Sequence, residues 1–334
     1  MIILFLVLLL ASFYVLSKGS DFLVDGASSV AKKFGISPLV IGLTIVSFGT
    51  SAPELIVSLS STLGGDGQIA VANVLGSNIL NILLILGICA MIKPLVVKSS
   101  TVWKEIPFAI VAALSVLLLG YAEAFKTTNL SNIFNLNFTE ITGYLSFAQG
   151  VILLIFFTIY MYYNFGLAKN SDEMKEEGTN NLRLTTSKSV WYILGGLALL
   201  IAGGQVAVYA AVEIAKTFGI SQRIIGLTIV AIGTSLPELV TSVKATLKGE
   251  VDIAIGNVVG SNIFNIFLIL GISSLFGVLT LSGGELIDSL VGIAAAVILF
   301  ISTFTIKKSQ IGRIEGSFMV LIYFVYLGYL ILGK

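Results

Sequence analysis

The chain has no histidine, one cysteine and five prolines, and Asp, Glu, Lys and Arg together make up only 11% of its 334 residues. Without imidazole the usual general base and the commonest transition-metal ligand are gone, so zinc chemistry and Ser-His hydrolysis lose support. The lone Cys89 cannot close an internal disulfide, and inside an apolar run it reads as a packing residue. A net charge of +1 points neither to nucleic acid nor to a strongly acidic partner. What fills the chain is hydrocarbon. Hydrophobic residues make up 56% and the mean hydropathy is +1.02, the composition of a polytopic membrane protein without a soluble domain of ordinary size.

Apolar runs mark ten spans: Ile2–Ala31, Pro38–Leu63, Ile69–Ile92, Val102–Ala122, Thr142–Leu167, Val190–Ala215, Gln222–Leu247, Ile253–Leu279, Leu286–Ile306 and Gly316–Leu332. Residues Met1 to Leu16 lack a basic segment in front of them and match Val190 onward, so they read as a first spanning helix and not as a signal peptide. The first and sixth runs are long enough to need tilt or to project from the bilayer. Two connections are notably polar, Phe125–Glu140 and Ala168–Lys188. The second carries four acidic and four basic residues and reads as a solvated linker. The division that follows is 1–167, a linker at 168–189, and 190–334.

A shift of 184 residues lays Phe34–Leu95 on Phe218–Leu279 without a gap, with 36 of 62 positions identical, which marks an internal duplication. Each copy holds five spans, an odd number, so the copies are expected to enter the membrane from opposite sides. The expected fold is an all-α polytopic membrane protein: ten transmembrane helices in two inverted five-helix repeats, with helices 2 and 7 broken at a midplane site. Lysine placement agrees with this. With the N-terminus outside, 14 basic residues fall in inside loops, and Lys126, Lys216, Arg223 and Lys334 fall outside. The positive-inside rule then puts both termini on the extracellular face of the cell membrane. Equivalent positions also exchange charge: Ser60 and Gly64 become Lys244 and Lys248, while Lys98 and Lys104 become Ser282 and Asp288.

The strongest local signal is a polar interruption that occurs twice, Gly49-Thr50-Ser51-Ala52-Pro53-Glu54 and Gly233-Thr234-Ser235-Leu236-Pro237-Glu238. A carboxylate at mid-bilayer costs roughly 2.5–3.5 kcal/mol even on a lenient insertion scale, and no lysine or arginine in these spans is available to neutralise it. Each proline removes a backbone donor and is expected to leave carbonyls near Ser47 and Ala231 without helical partners. Beside each interruption lies a second polar segment. Asn73, Ser77 and Asn81 are spaced four apart and share a helical face; Asn257, Ser261 and Asn265 repeat it. Glu54, Glu238, Asn81, Asn265, Ser77, Ser261, Thr50 and Thr234, with the hydroxyls of Ser51 and Ser235, bring six or more oxygens to one depth. That is enough for Ca2+ or for several Na+. Asn78 and Asn262, off the main face, read as helix-to-helix glue, and Gly76 and Gly260 as close-approach residues. Asp21, Asp25 and Glu213 read as interfacial or access-path residues. Asn129 and Asn137 head chance glycosylation sequons.

These paired segments resemble the two alpha-repeats of the sodium/calcium exchanger family, within the cation/calcium antiporter superfamily, and the resemblance covers the full ten-span layout. It implies that Glu54 and Glu238 ligate Ca2+ and take part in Na+ sites. It further implies backbone carbonyls from Thr50 and Thr234, flanking Na+ sites at Ser77 and Ser261 with the carbonyls of Ser47 and Ala231, and a central position lined by Asn81 and Asn265. The first and sixth spans would slide as a gate across the remaining eight. Relatives that depend on potassium carry aspartate at the place of Asn265, so the amide here implies K+-independent exchange. The large regulatory calcium-binding loop of animal exchangers has no room in Ala168–Lys188. The function implied is electrogenic Na+/Ca2+ antiport by a monomer in the lipid bilayer, with no cofactor, no nucleic acid and no enzymatic step. A Ca2+/H+ antiporter is the alternative; a passive channel fits the duplicated inverted site less well, and a hydrolase using Ser51 or Ser235 has no base.

Overall fold

In lipid, backbone polar groups must pair within their own segment, and the long apolar runs accordingly form helices. The computed structural model describes residues 2–127, 141–169, 184–218 and 231–332. Among the described residues, eight helices are each long and apolar enough to cross a membrane: α1 Ile2–Phe34, α4 Gly67–Ile92, α5 Thr101–Gly120, α6 Phe147–Lys169, α7 Thr186–Thr217, α10 Val251–Phe276, α11 Gly283–Ser302 and α12 Arg313–Leu332. The pair α2 Pro38–Thr50 and α3 Ala52–Leu63, bent by 45° at Ser51, passes the same test of length and apolarity when taken together and makes a ninth crossing if it is one span. Of the seventh run, α8 Ala231–Thr234 and α9 Leu236–Leu247 are described. Its first part lies outside the described residues, as do Asn129, Asn137 and most of the two polar connections.

Two short antiparallel strand pairs depart from an all-helical reading. Strand β1, Leu95–Val96, pairs with β4, Gln310–Ile311; strand β2, Gly143–Leu145, pairs with β3, Leu279–Leu281. The second pair accounts for two shifted helix ends. The fifth run is expected to begin at Thr142 and the eighth to end at Leu279, but both ends are taken up by the ladder, and the helices run from Phe147 and to Phe276. Ser282 then opens α11 with a capping box closed by Glu285. After α3 and α9 the chain turns at Gly65 (φ 89°) and Gly249 (φ 82°), equivalent positions in the two copies, where a side chain would be strained.

Small residues set which helices touch. Along α10, Gly256 and Gly260 are one turn apart and lie on α2: a Cβ on Gly256 would meet the Leu39 carbonyl at 2.7 Å, and one on Gly260 would meet Leu43 Cα at 2.9 Å. This close approach brings α10 against the interrupted helix of the other half. Helices α1 and α7 pack along their length through Gly19 against Gly196 and Gly26 against the Ser189 carbonyl. They carry most of a small apolar cluster around Leu16, Leu23, Val24 and Leu200, separate from the main core built by α4, α5, α10, α11 and α12. Cys89 is buried in that main core.

Candidate functional site

Both interruptions break the helix in the same way. Ser51 (φ −81°, ψ 6°) and Ser235 (φ −88°, ψ 7°) leave helical geometry, and a proline occupies the first turn of the helix that follows. Glu54 and Glu238 therefore sit in the first turns of α3 and α9, where unpaired N–H groups and the helix dipole favour negative charge. The carbonyl that Pro53 deprives of an i+4 donor is that of Gly49. Ser47 corrects the sequence expectation: its carbonyl keeps a helical partner, the Ser51 N–H at 3.0 Å, because the break falls after that bond. Its second lone pair faces the Thr50 hydroxyl at 3.4 Å. Its own hydroxyl turns away, donating to the Gly42 carbonyl at 2.5 Å, with the carbonyls of Gly256 and Asn257 at 3.2 Å. Ala231 opens α8, just before the second interruption.

Serines carry each carboxylate across to the other half of the chain. Ser51 donates to Glu238 Oε1 at 3.0 Å. The hydroxyls of Ser77 and Ser235 each lie 3.0 Å from Glu54 Oε1 and 2.6 Å from one another. With one proton apiece, one of them donates to the carboxylate while the other donates to its neighbour. The threonines bind the polar helices: Thr50 Oγ1 is 2.9 Å from Asn257 Oδ1, and Thr234 Oγ1 is 3.5 Å from Asn73 Oδ1. Asn257 in turn donates to the Glu238 carbonyl at 3.4 Å and to Ser242 at 2.9 Å, and Asn73 does the same with the Glu54 carbonyl and Ser58 at 3.4 and 3.2 Å. These two asparagines tie α4 to α3 and α10 to α9, leaving the glutamate side chains to face the interior.

Both glutamates are fully buried (0% exposed). Among the described residues no ion pair reaches either one, and no cluster of three or more Cys, Asp or Glu gathers anywhere. Among the described residues, nine buried side-chain N or O atoms lack a hydrogen-bond partner, and five of them belong to residues singled out in the sequence: Glu54 Oε2, Glu238 Oε2, Asn81 Oδ1, Asn265 Oδ1 and Ser261 Oγ. An unpaired buried carboxylate oxygen is costly, by several kcal/mol per ion, unless a cation or a proton meets it. The donor set is all oxygen, two of it charged, which suits a hard cation and not a soft one.

The other acids lie elsewhere. Asp21 and Asp25, late in α1, pair with lysines at the end of α9: Lys244 reaches Asp21 at 3.3 Å, and Lys248 reaches Asp21 at 3.2 Å and Asp25 at 2.6 Å. Glu213 pairs with Lys216 on its own helix at 2.6 Å. All three are outside the central cluster, as their positions in the sequence imply. Sequence reasoning passes over Ser58 and Ser242, which anchor Asn73 and Asn257; their identity across the 184-residue shift is the one signal that marks them. It reads Asn78 and Asn262 as helix-to-helix glue, which their bonds to each other's main-chain carbonyls bear out, and it misses that Asn78 also accepts from Asn265 and Asn262 from Asn81.

The chain is similar in sequence and fold to known proteins. The family model described as sodium/calcium exchanger protein matches residues 4–166 and 188–332. The sodium/calcium exchanger MaX1 of Methanosarcina acetivorans is 33% identical over 344 aligned positions, covering 97% of each chain. The inner membrane protein YrbG of Escherichia coli is 36% identical over 275, covering 80% of this chain and 78% of that one. Among solved structures, the sodium-calcium exchanger NCX_Mj soaked with Na+ and Ca2+ superposes with a TM-score of 0.79 at 30% identity, covering 98% of this chain and 99% of that one. The chain thus belongs to the sodium/calcium exchanger family, multi-pass membrane transporters and not enzymes, for which Ca2+ and Na+ are cargo and no cofactor is used.

Proposed function

We propose that the chain exchanges Na+ for Ca2+ across the cell membrane by alternating access at one central site. Glu54 and Glu238 supply the charge; Thr50, Thr234, Ser51, Ser235, Ser77, Ser261, Asn81 and Asn265 supply neutral oxygens; the carbonyl of Ala231 flanks them, with that of Ser47 able to join only through the lone pair that now faces Thr50. The observation that carries this reading is the set of five buried, unpartnered oxygens on these residues, drawn from both halves of the chain. Ca2+ takes six to eight oxygens at about 2.3–2.6 Å, a number that the five unpartnered atoms would reach together with the neighbouring hydroxyls and carbonyls named above.

Charge arithmetic accounts for coupling. With both glutamates ionised the empty site carries −2; one Ca2+ brings it to zero and three Na+ to +1. An empty −2 cavity is expensive to seal from water, so the carrier changes sides mainly when loaded, which makes it an exchanger and not a leak. If more than two Na+ move per Ca2+, each cycle shifts net charge, worth about 2.3 kcal/mol per elementary charge per 100 mV, and an inside-negative potential speeds Ca2+ export. Two amides at 81 and 265 leave no third carboxylate to compensate, which supports K+ independence. The proposed frame is ten helices in two inverted repeats, 1–167 and 190–334 joined by 168–189, working as a monomer with both termini outside. The 184-residue duplication and the lysine asymmetry support it.

Counterflow in proteoliposomes with Na+, K+ and H+ gradients imposed one at a time tests the reading. Na+-driven Ca2+ uptake that survives collapse of the pH gradient and ignores K+ is the expected result. Uptake driven by protons alone selects Ca2+/H+ antiport instead, and Ca2+ flux without any counter-ion selects a channel.

A further inference from the structure

Four asparagines close a ring between α4 and α10. Asn78 Nδ2 donates to the main-chain carbonyl of Asn262 at 3.0 Å, and Asn262 Nδ2 returns the bond to the carbonyl of Asn78 at 3.1 Å. Asn265 Nδ2 donates to Asn78 Oδ1 at 3.0 Å, and Asn81 Nδ2 donates to Asn262 Oδ1 at 3.1 Å. All four side chains are buried. A carbonyl only accepts, so the amide nitrogens of Asn78 and Asn262 must face the main chain and their oxygens must point the other way. Those oxygens also only accept, so the nitrogens of Asn265 and Asn81 must face them. What remains of each outer amide is Oδ1, buried and without a partner. Turning any one amide sets oxygen against oxygen or N–H against N–H, so the two main-chain carbonyls decide the orientation of all four side chains.

We propose that Asn78 and Asn262 are positioning residues that turn the oxygens of Asn81 and Asn265 into the ion site and select amides over carboxylates at those two places. The inference rests on Asn81 and Asn265 being ligands, as proposed above. It reaches specificity as follows. An aspartate at 265 has no N–H to give, so it would set a carboxylate oxygen against Asn78 Oδ1 at the present 3.0 Å separation. It is accommodated only by taking up a proton or by turning Asn78, which breaks the bond to the Asn262 carbonyl. The ring thereby holds the site at two carboxylates, matched to one divalent cation without a compensating monovalent ion.

A double-mutant cycle tests this, reading half-saturating Ca2+ for Na+-driven uptake in proteoliposomes. Asn78→Leu removes the acceptor that orients Asn265, and it should weaken Ca2+ about tenfold or more, the size found when outer-shell partners of metal ligands are lost. In an Asn265→Asp background the same change should matter less than about threefold, because it also removes the oxygen that the introduced aspartate would face, and the ionised carboxylate then left has the same atom at both ends and needs no orienting. An equal loss in both backgrounds would mean that Asn78 only supports packing and overturns the proposal. If Asn78→Leu does not accumulate as folded protein, Asn262→Leu with and without Asn81→Asp puts the same question to the other half. Asn265→Leu separates the two levels of the argument. If it weakens Ca2+ while Asn78→Leu is silent, the positioning role fails alone. If Asn265→Leu leaves Ca2+ unchanged, the ligand assignment fails and the ring proposal with it.

Discussion

Glu54→Gln removes one charge from the site while leaving its supports in place. Glu54 Oε1 lies 3.0 Å from the hydroxyls of both Ser77 and Ser235, one of which donates to it, and a glutamine oxygen there accepts the same proton. The amide nitrogen then takes the place of Oε2, the oxygen without a partner, so an ion ligand is replaced by two N–H donors and the fold is spared. At an oxygen distance of about 2.4 Å and an effective dielectric of about 20, the attraction lost between Ca2+ and one unit charge is about 14 kcal/mol before offsetting terms. If only about a fifth of it survives ion desolvation and ligand relaxation, half-saturating Ca2+ still rises roughly a hundredfold. The assay is initial 45Ca uptake into Na+-loaded proteoliposomes over a wide Ca2+ range, with size-exclusion profiles to show intact protein. Glu238→Gln should behave alike. Near-native uptake by a folded Glu54→Gln protein would refute the assignment of Glu54 as a charged ligand.

Asn265→Asp adds a third carboxylate that needs K+ or a proton, so its Ca2+ flux should become sensitive to K+ or to pH between about 5 and 8, whereas the native protein is expected to be indifferent to K+; unchanged ion and pH profiles in the variant would remove residue 265 from the site. Lys248→Ala breaks two of the ion pairs between α1 and α9. These side chains are 26–46% exposed, so the loss should be about 1 kcal/mol or less, seen as a lower melting temperature at low salt that vanishes in high salt. A salt-independent drop would contradict the electrostatic account. Gly256→Ala puts a methyl 2.7 Å from the Leu39 carbonyl and 2.9 Å from the Leu43 nitrogen, atoms that move only with the backbone. It should cost about 1–3 kcal/mol and slow transport by pushing α10 off α2, read as a shortened half-life in detergent; a protein as durable as native would show that the contact is not tight.

Much of the membrane frame and of the cluster is legible in the sequence because both rest on local or repeated signals. Apolar run length locates the helices, and the 184-residue repeat puts Glu54 and Glu238 at equivalent positions before any contact is known. What escapes is set by pairing between distant segments. Gly143–Leu145 forms a strand because Leu279–Leu281 lies beside it, and no local pattern in an apolar stretch announces that partner. Asp21 and Asp25 find Lys248 across more than 220 residues. The carbonyl of Ser47 stays bonded because the donor that Pro53 removes is the one due to Gly49, two residues on, and the helix keeps its path as far as Ser51. The amide ring is invisible for a related reason: spacing places Asn78 and Asn262 off the main polar face, and only the crossing of α4 over α10 turns them toward Asn81 and Asn265.

The most direct test of the central claim is equilibrium Ca2+ binding to the purified protein, titrated with Na+ and, separately, with K+. If one site built on Glu54 and Glu238 serves both ions, the chain binds a single Ca2+ that Na+ displaces with a Hill coefficient above 1, K+ has no effect, and the Glu54→Gln, Glu238→Gln double variant binds none. Ca2+ that stays bound at saturating Na+, or that the double variant binds as well as the native chain does, would contradict it.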